Sequence, residues 1–175
     1  MLSKKQVERI TPKLLLIQII SAGILVGAIV FAVLIAVVVD WKTVSSNIGL
    51  ITLIGAATGV SIYCLALVVP RILAAASVDG GATELINEQQ ELDEEKAIDS
   101  ILESLQSNQI IFSAMLEGAI FLNLMAFLVD KSLVSMAVAG LGLAIMLLAF
   151  PFKSRLVERL TGRLQNFKDD LKLNR

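Results

Sequence analysis

Few residues in this chain could do chemistry, and they centre on one carboxylate. Glu117 sits inside Ser113-Ala-Met-Leu-Glu-Gly-Ala-Ile-Phe-Leu-Asn-Leu-Met-Ala-Phe-Leu-Val129, an apolar segment of membrane-spanning length. A charge at the centre of such a helix costs ~2.5–3.5 kcal/mol on insertion scales, so it has a partner or a task. Two roles are open. A neutral carboxyl can fix the register of two helices by a hydrogen bond, or the group can bind a proton or a cation. Glu117 lies eight residues past Gln109, or ~12 Å inside the membrane border at ~1.5 Å per residue. The same distance counted back from Arg71 along an antiparallel neighbour reaches Tyr63. Tyr63 is therefore the expected donor to Glu117, with Ser113, one turn away on the same helix, as a local alternative. Asn123 projects ~120° away from Glu117 and is expected to serve a different helix contact.

Other chemistry is thin. The chain has no histidine and one cysteine, Cys64, which removes a disulfide framework, a Cys/His zinc site and any His-based triad. Cys64 lies in an apolar run and reads as a small packing residue. No HExxH, GxSxG, P-loop or pair of membrane carboxylates occurs, so neither an enzyme nor a cofactor site is expected. Carboxylates at Glu84, Glu88, Glu91 and Glu95 lack the spacing of a calcium loop, and no metal site is expected there.

The elements that must position Glu117 are membrane helices. Of the 175 residues, 56% are hydrophobic, and the mean hydropathy is +0.79. Residues 1–13 form a basic head. Leu14 to Val39 is too long for a signal-peptide core and lacks a small-residue cleavage site, so it reads as a retained span. Further spans are expected at 49–69, 110–129 and 133–150, with Pro70-Arg71 ending the second and Asp130-Lys-Ser132 a tight turn between the last two. Gly23, Gly27, Gly55, Gly59, Gly118, Gly140 and Gly142 punctuate these spans, as small residues do where helices approach closely. Trp41 falls at an expected membrane edge. The fold class is thus all-α integral membrane: four transmembrane helices in two hairpins, plus amphipathic helices outside the bilayer.

Charge is segregated. The connection 77–107 holds nine acidic residues against Lys96, and its chain is expected to break at Asp79-Gly-Gly81 before an amphipathic helix from Glu84 to Leu105. Residues 153–175 form a basic helix with Arg155, Arg159 and Arg163 beside a stripe of Phe152, Leu156, Leu160, Leu164, Phe167 and Leu171. Lys and Arg concentrate in the head and the tail, which puts both termini in the cytoplasm of a cytoplasmic (inner or plasma) membrane. The acidic connection shares that side. The two charged segments are expected to dock, mainly through their apolar stripes, with Arg155, Arg159 or Arg163 near acidic residues such as Glu88, Glu91 and Glu95.

The halves also resemble each other. Gln18-Ile-Ile20 and Gly27-Ala-Ile29 match Gln109-Ile-Ile111 and Gly118-Ala-Ile120 at an offset of 91, and Gly59 and Pro70 match Gly140 and Pro151 at 81. A parallel internal repeat about the membrane normal would give this pattern. Glycine-rich helices, a hairpin present twice and a single membrane carboxylate resemble the proteolipid c-type subunits of rotary ATPases, a resemblance that implies proton or cation binding at Glu117. It covers only general features of the spans. In that family the carboxylate is on the second helix of a hairpin, whereas Glu117 is on the first, and the acidic connection and basic tail depart from its compact form. The expected function is therefore a structural, interaction or self-associating membrane protein, with ion translocation through Glu117 as the alternative. The expected partners are the lipid bilayer and further copies of the chain; a net charge of −1 gives no pull on nucleic acid.

Overall fold

A computed structural model describes residues 4–86 and 94–173. Its elements are α1 (Lys4–Val38), a 3-10 turn (Trp41–Thr43), α2 (Leu50–Ile86), α3 (Glu94–Asp130), α4 (Leu133–Leu148) and α5 (Lys153–Leu173). Helix is the form that satisfies every backbone polar group within its own segment, as lipid requires. Among the described residues, three stretches are long and apolar enough to cross a membrane: Val7–Val38, Leu50–Val69 and Ile98–Asp130. A fourth is reached if α4 and the start of α5, bent by 68° at the break between them, are taken together. The outward surface agrees. Val37, Leu50 and Leu148 are 78%, 72% and 74% exposed, as are many other leucines, valines and isoleucines, far more apolar surface than water tolerates on a folded chain.

The helices run further than their apolar stretches. The basic head is no separate element, since its residues from Lys4 are the first turns of α1, with Pro12 inside the helix. Neither Pro70 nor Asp79-Gly-Gly81 stops α2, which continues to Ile86. A glycine lowers helix propensity by ~1 kcal/mol without forbidding the helix, and the preceding turns are already formed. Of the expected helix from Glu84, the first residues belong to α2, residues 87–93 lie outside those described, and the remainder belongs to α3. With 37 residues each, α2 and α3 are ~55 Å long, more than the ~30 Å of a hydrocarbon core requires.

α3 is the hub, touching α1, α2, α4 and α5, whereas α1 and α2 barely meet. α3 runs antiparallel to α2, with Ala126 on Gly55 and Asn123 on Gly59. It runs parallel to α1, with Asp99 beside Arg9 and Phe121 edge-on to Phe31 at 4.7 Å. At one end, here the loop end, the connections before α2 and before α4 meet. Ser45 N–H donates to Lys131 C=O at 3.0 Å, and Leu133 N–H donates to Ser45 C=O at 3.1 Å. Lys131, with φ of 51°, makes the tight turn expected between α3 and α4. At the other, tail end, Leu156, Leu160 and Leu164 of α5 close over Ile10, Leu14 and Ile17 of α1 and Ile98, Leu102 and Leu105 of α3.

α1 and α3 touch at residues 90 positions apart, as at Arg9 and Asp99, and α2 and α4 at residues 83 apart, as at Thr52 and Ser135. The two halves do not pack alike: α3 packs on α4, whereas α1 and α2 barely meet.

Candidate functional site

Tyr63 and Glu117 are not partners. The Tyr63 hydroxyl donates to the Val138 carbonyl of α4 at 2.9 Å, and its ring lies over Gly142, where an added Cβ would meet Tyr63 Cζ and Ile120 Cγ1 at 2.7 Å each. Ser113 is not bonded to Glu117 either; it accepts from Gln109 Nε2 at 3.4 Å. Glu117 turns instead to α1. Its Oε1 would stand 3.4 Å from a Cβ at Gly27, so the small residue there makes room for the carboxylate. The level deduced for Tyr63 is nearly right, because the α2–α3 pairing puts it opposite Ala119, two residues from Glu117. The direction is wrong, since the two residues face different neighbours.

Asn123 does serve another contact. It is fully buried and fills the notch left by Gly55 and Gly59 on α2, its Nδ2 donating to Ala119 C=O on its own helix at 2.9 Å. Its Oδ1 has no hydrogen-bond partner, and neither does Ser132 Oγ. The glycines divide accordingly. Gly27, Gly55, Gly59 and Gly142 take side chains from neighbouring helices, while Gly23, Gly118 and Gly140 have nothing within 4 Å of a built Cβ.

Asp130, read from sequence only as part of a turn, has a larger role. Its carboxylate accepts from Thr52 N–H at 2.7 Å and lies against Gly49, capping the start of α2 from the end of α3. The free N–H groups and the positive end of the helix dipole favour an anion there. Ser135 Oγ donates to Thr52 Oγ1 at 3.1 Å beside it. An Asp closing the third expected span and a Gly opening the second were the available signal.

The tail arginines do not pair with the acidic segment among the described residues. Arg155 donates to Leu148 C=O at 2.7 Å and stacks on Phe152, and Arg163 donates to Ser104 Oγ at 3.4 Å. Asp99 is taken by the head instead, by Arg9 at 3.3 Å and Lys13 at 2.9 Å. The parallel course of α1 and α3 brings those cations to it first. Glu88 and Glu91 lie outside the described residues, as does the side chain of Glu95. The apolar half of the expected docking holds for Leu156, Leu160 and Leu164, which are buried, whereas Phe152 is exposed; the side chains of Phe167 and Leu171 lie outside those described. No protein-family model matches this chain, and no curated protein and no solved structure matches it either.

Proposed function

We propose that the chain is a four-span protein of the cytoplasmic membrane, with both termini in the cytoplasm, that works by helix association rather than catalysis and pairs with further copies of itself. α4 supports the fourth span. It starts beside Ser45 at the loop end and is followed at the tail end by Pro151, whose carbonyl accepts from Gln18 of α1 at 3.0 Å. Gln18 and Val38 are about 30 Å apart along α1, the thickness of the hydrocarbon core. The excess of Lys and Arg at the tail end sets the orientation.

The observation that carries self-association is the division of the glycines. Polar groups such as Tyr63, Thr52 and Asp130 tie the bundle's own helices together, while Gly23, Gly118 and Gly140 face outward with no neighbour. Small outward residues let a second copy approach closely. Two differently tagged copies, expressed together and extracted in mild detergent, are expected to co-purify. Gly23→Leu is expected to reduce that recovery at least fivefold without changing the amount of folded monomer. Undiminished recovery with leucines at Gly23, Gly118 and Gly140 together would refute this reading.

A second reading keeps Glu117 as a proton- or cation-binding group. The observation in its favour is that its carboxylate has no hydrogen-bond partner among the described residues, so a bound proton or ion would compete with no internal contact. Proteoliposomes loaded with a pH-sensitive dye separate the two. Under translocation, Glu117→Gln abolishes a flux that the unaltered protein supports; under association, neither protein conducts above empty vesicles.

A further inference from the structure

At the tail end an open-sided cleft of about 490 Å³ is lined by Ala66 and Leu67 of α2, Gln109 and Phe112 of α3, and Arg159 and Arg163 of α5. Ala66 and Leu67 belong to the last turn of the apolar stretch Leu50–Val69, so the cleft straddles the level where hydrocarbon gives way to headgroups. Leu65 and Val68, the residues flanking the cleft wall on α2, are both exposed. On the other side stand two guanidinium groups one helical turn apart. Neither forms an ion pair with a carboxylate among the described residues, and Asp99 of α3 is engaged by Arg9 and Lys13. Arg163 is half-buried, with the neutral Ser104 hydroxyl at 3.4 Å.

Two cations on one face, a turn apart, repel each other. A half-buried cation without an anion also loses hydration for no return. A phosphodiester relieves both, because its oxygens match the planar donor fork of arginine. The apolar wall asks for something else, an alkyl chain that leaves water or lipid to lie along it. One molecule carries both features. We propose that this cleft binds one anionic phospholipid, with its phosphate between Arg159 and Arg163 and an acyl chain along Leu67 and Phe112. Basic pockets between helices on the cytoplasmic side hold lipid headgroups in this manner. The proposal rests on the membrane reading above, which sets the cleft at the bilayer border.

The test uses the full chain in mild detergent, offered equal amounts of phosphatidylglycerol and phosphatidylcholine, with bound lipid counted by native mass spectrometry. The unaltered protein is expected to retain one phosphatidylglycerol in preference. Each basic residue near an anionic lipid gives roughly a fivefold gain, so Arg159→Gln with Arg163→Gln should lower the preference about thirtyfold. Lys153→Gln with Arg155→Gln removes the same charge from α5 outside the cleft and should lower it less than twofold. Leu67→Trp, at a half-exposed site that tolerates bulk, should reduce retention while leaving both arginines in place. No preference in the unaltered protein, or equal losses in the two double variants, overturns the proposal. So does displacement of the lipid by millimolar inorganic phosphate alone, which would mark a site for a free anion. Cysteines at Ser46 and Ser154, in a background lacking Cys64, report the membrane reading separately. If an impermeant thiol reagent labels them from the same side, that reading fails; opposite-side labelling without lipid preference fails the cleft alone.

Discussion

Gly142→Leu is expected to unfold much of the population at detergent concentrations that leave the unaltered protein intact. A single added Cβ at Gly142 already meets the Tyr63 hydroxyl, and Tyr63 Cζ and Ile120 Cγ1 lie at 2.7 Å. None of these can move cheaply, since Tyr63 is held by Val138 C=O at 2.9 Å and Ile120 is fully buried. Overpacking a rigid interior costs ~1–3 kcal/mol, and leucine, against two helices at once, should reach the upper part of that range or beyond it. Trp41 is the only tryptophan, so its fluorescence follows the transition during titration with sodium dodecyl sulfate. Gly140→Leu is the internal control. It lies two residues away on the same helix, with nothing within 4 Å, and should shift the transition by less than ~0.5 kcal/mol. Equal shifts for the two variants would mean that α2 does not lie on α4 as described.

Leu160→Ala is expected to free α5 from the bundle. Leu160 is fully buried in the tail-end cluster, beside Leu156 and Leu164. Truncating such a leucine costs ~2–5 kcal/mol, depending on how far the cavity collapses. Asp99→Asn, which breaks both cationic contacts of Asp99, is expected to cost no more than ~1 kcal/mol, because those side chains are 34–49% exposed and water screens them. Limited proteolysis of α5 in mild detergent distinguishes the two. Rapid cleavage in Leu160→Ala with near-normal resistance in Asp99→Asn is the expected pattern. The reverse order would show that the ion pairs between α1 and α3, and not the packing of Leu160, keep α5 in place.

The parts of the fold governed by one-dimensional pattern were legible in the sequence. Apolar stretches of spanning length, the turn at Lys131 and the stripe of Leu156, Leu160 and Leu164 each follow from residue type and spacing along one helix. Asn123 was separable from Glu117 because an angle about one helix axis can be counted. What was not legible needed two helices at once. The level of Tyr63 opposite Glu117 was nearly correct, but how each helix is turned about its own axis depends on the small residues of its neighbours. Gly142 receives Tyr63, Gly27 receives Glu117, and no feature of either stretch alone says so. The charge contacts failed for a related reason. Residues 153–175 and the acidic connection were expected to leave the membrane on one side and so to pair, yet the parallel course of α1 and α3 puts Arg9 and Lys13 beside Asp99 instead. Asp79-Gly-Gly81 misled differently, because a propensity penalty was read as a stop.

The place of α3 among the helices bears on how the molecule is assembled as it is made. A chain threaded into the bilayer from its N-terminus delivers α1 and α2 first, and these two have almost no surface in common. Each must wait in lipid as a solitary helix. The Asp130 carboxylate that closes the start of α2 is supplied from the far end of α3, and the notch at Gly55 and Gly59 stays open until Asn123 arrives. The third helix thus gathers its predecessors after they have inserted, and a nascent chain stalled before it presents the cell with two unclaimed spans rather than half a folded protein.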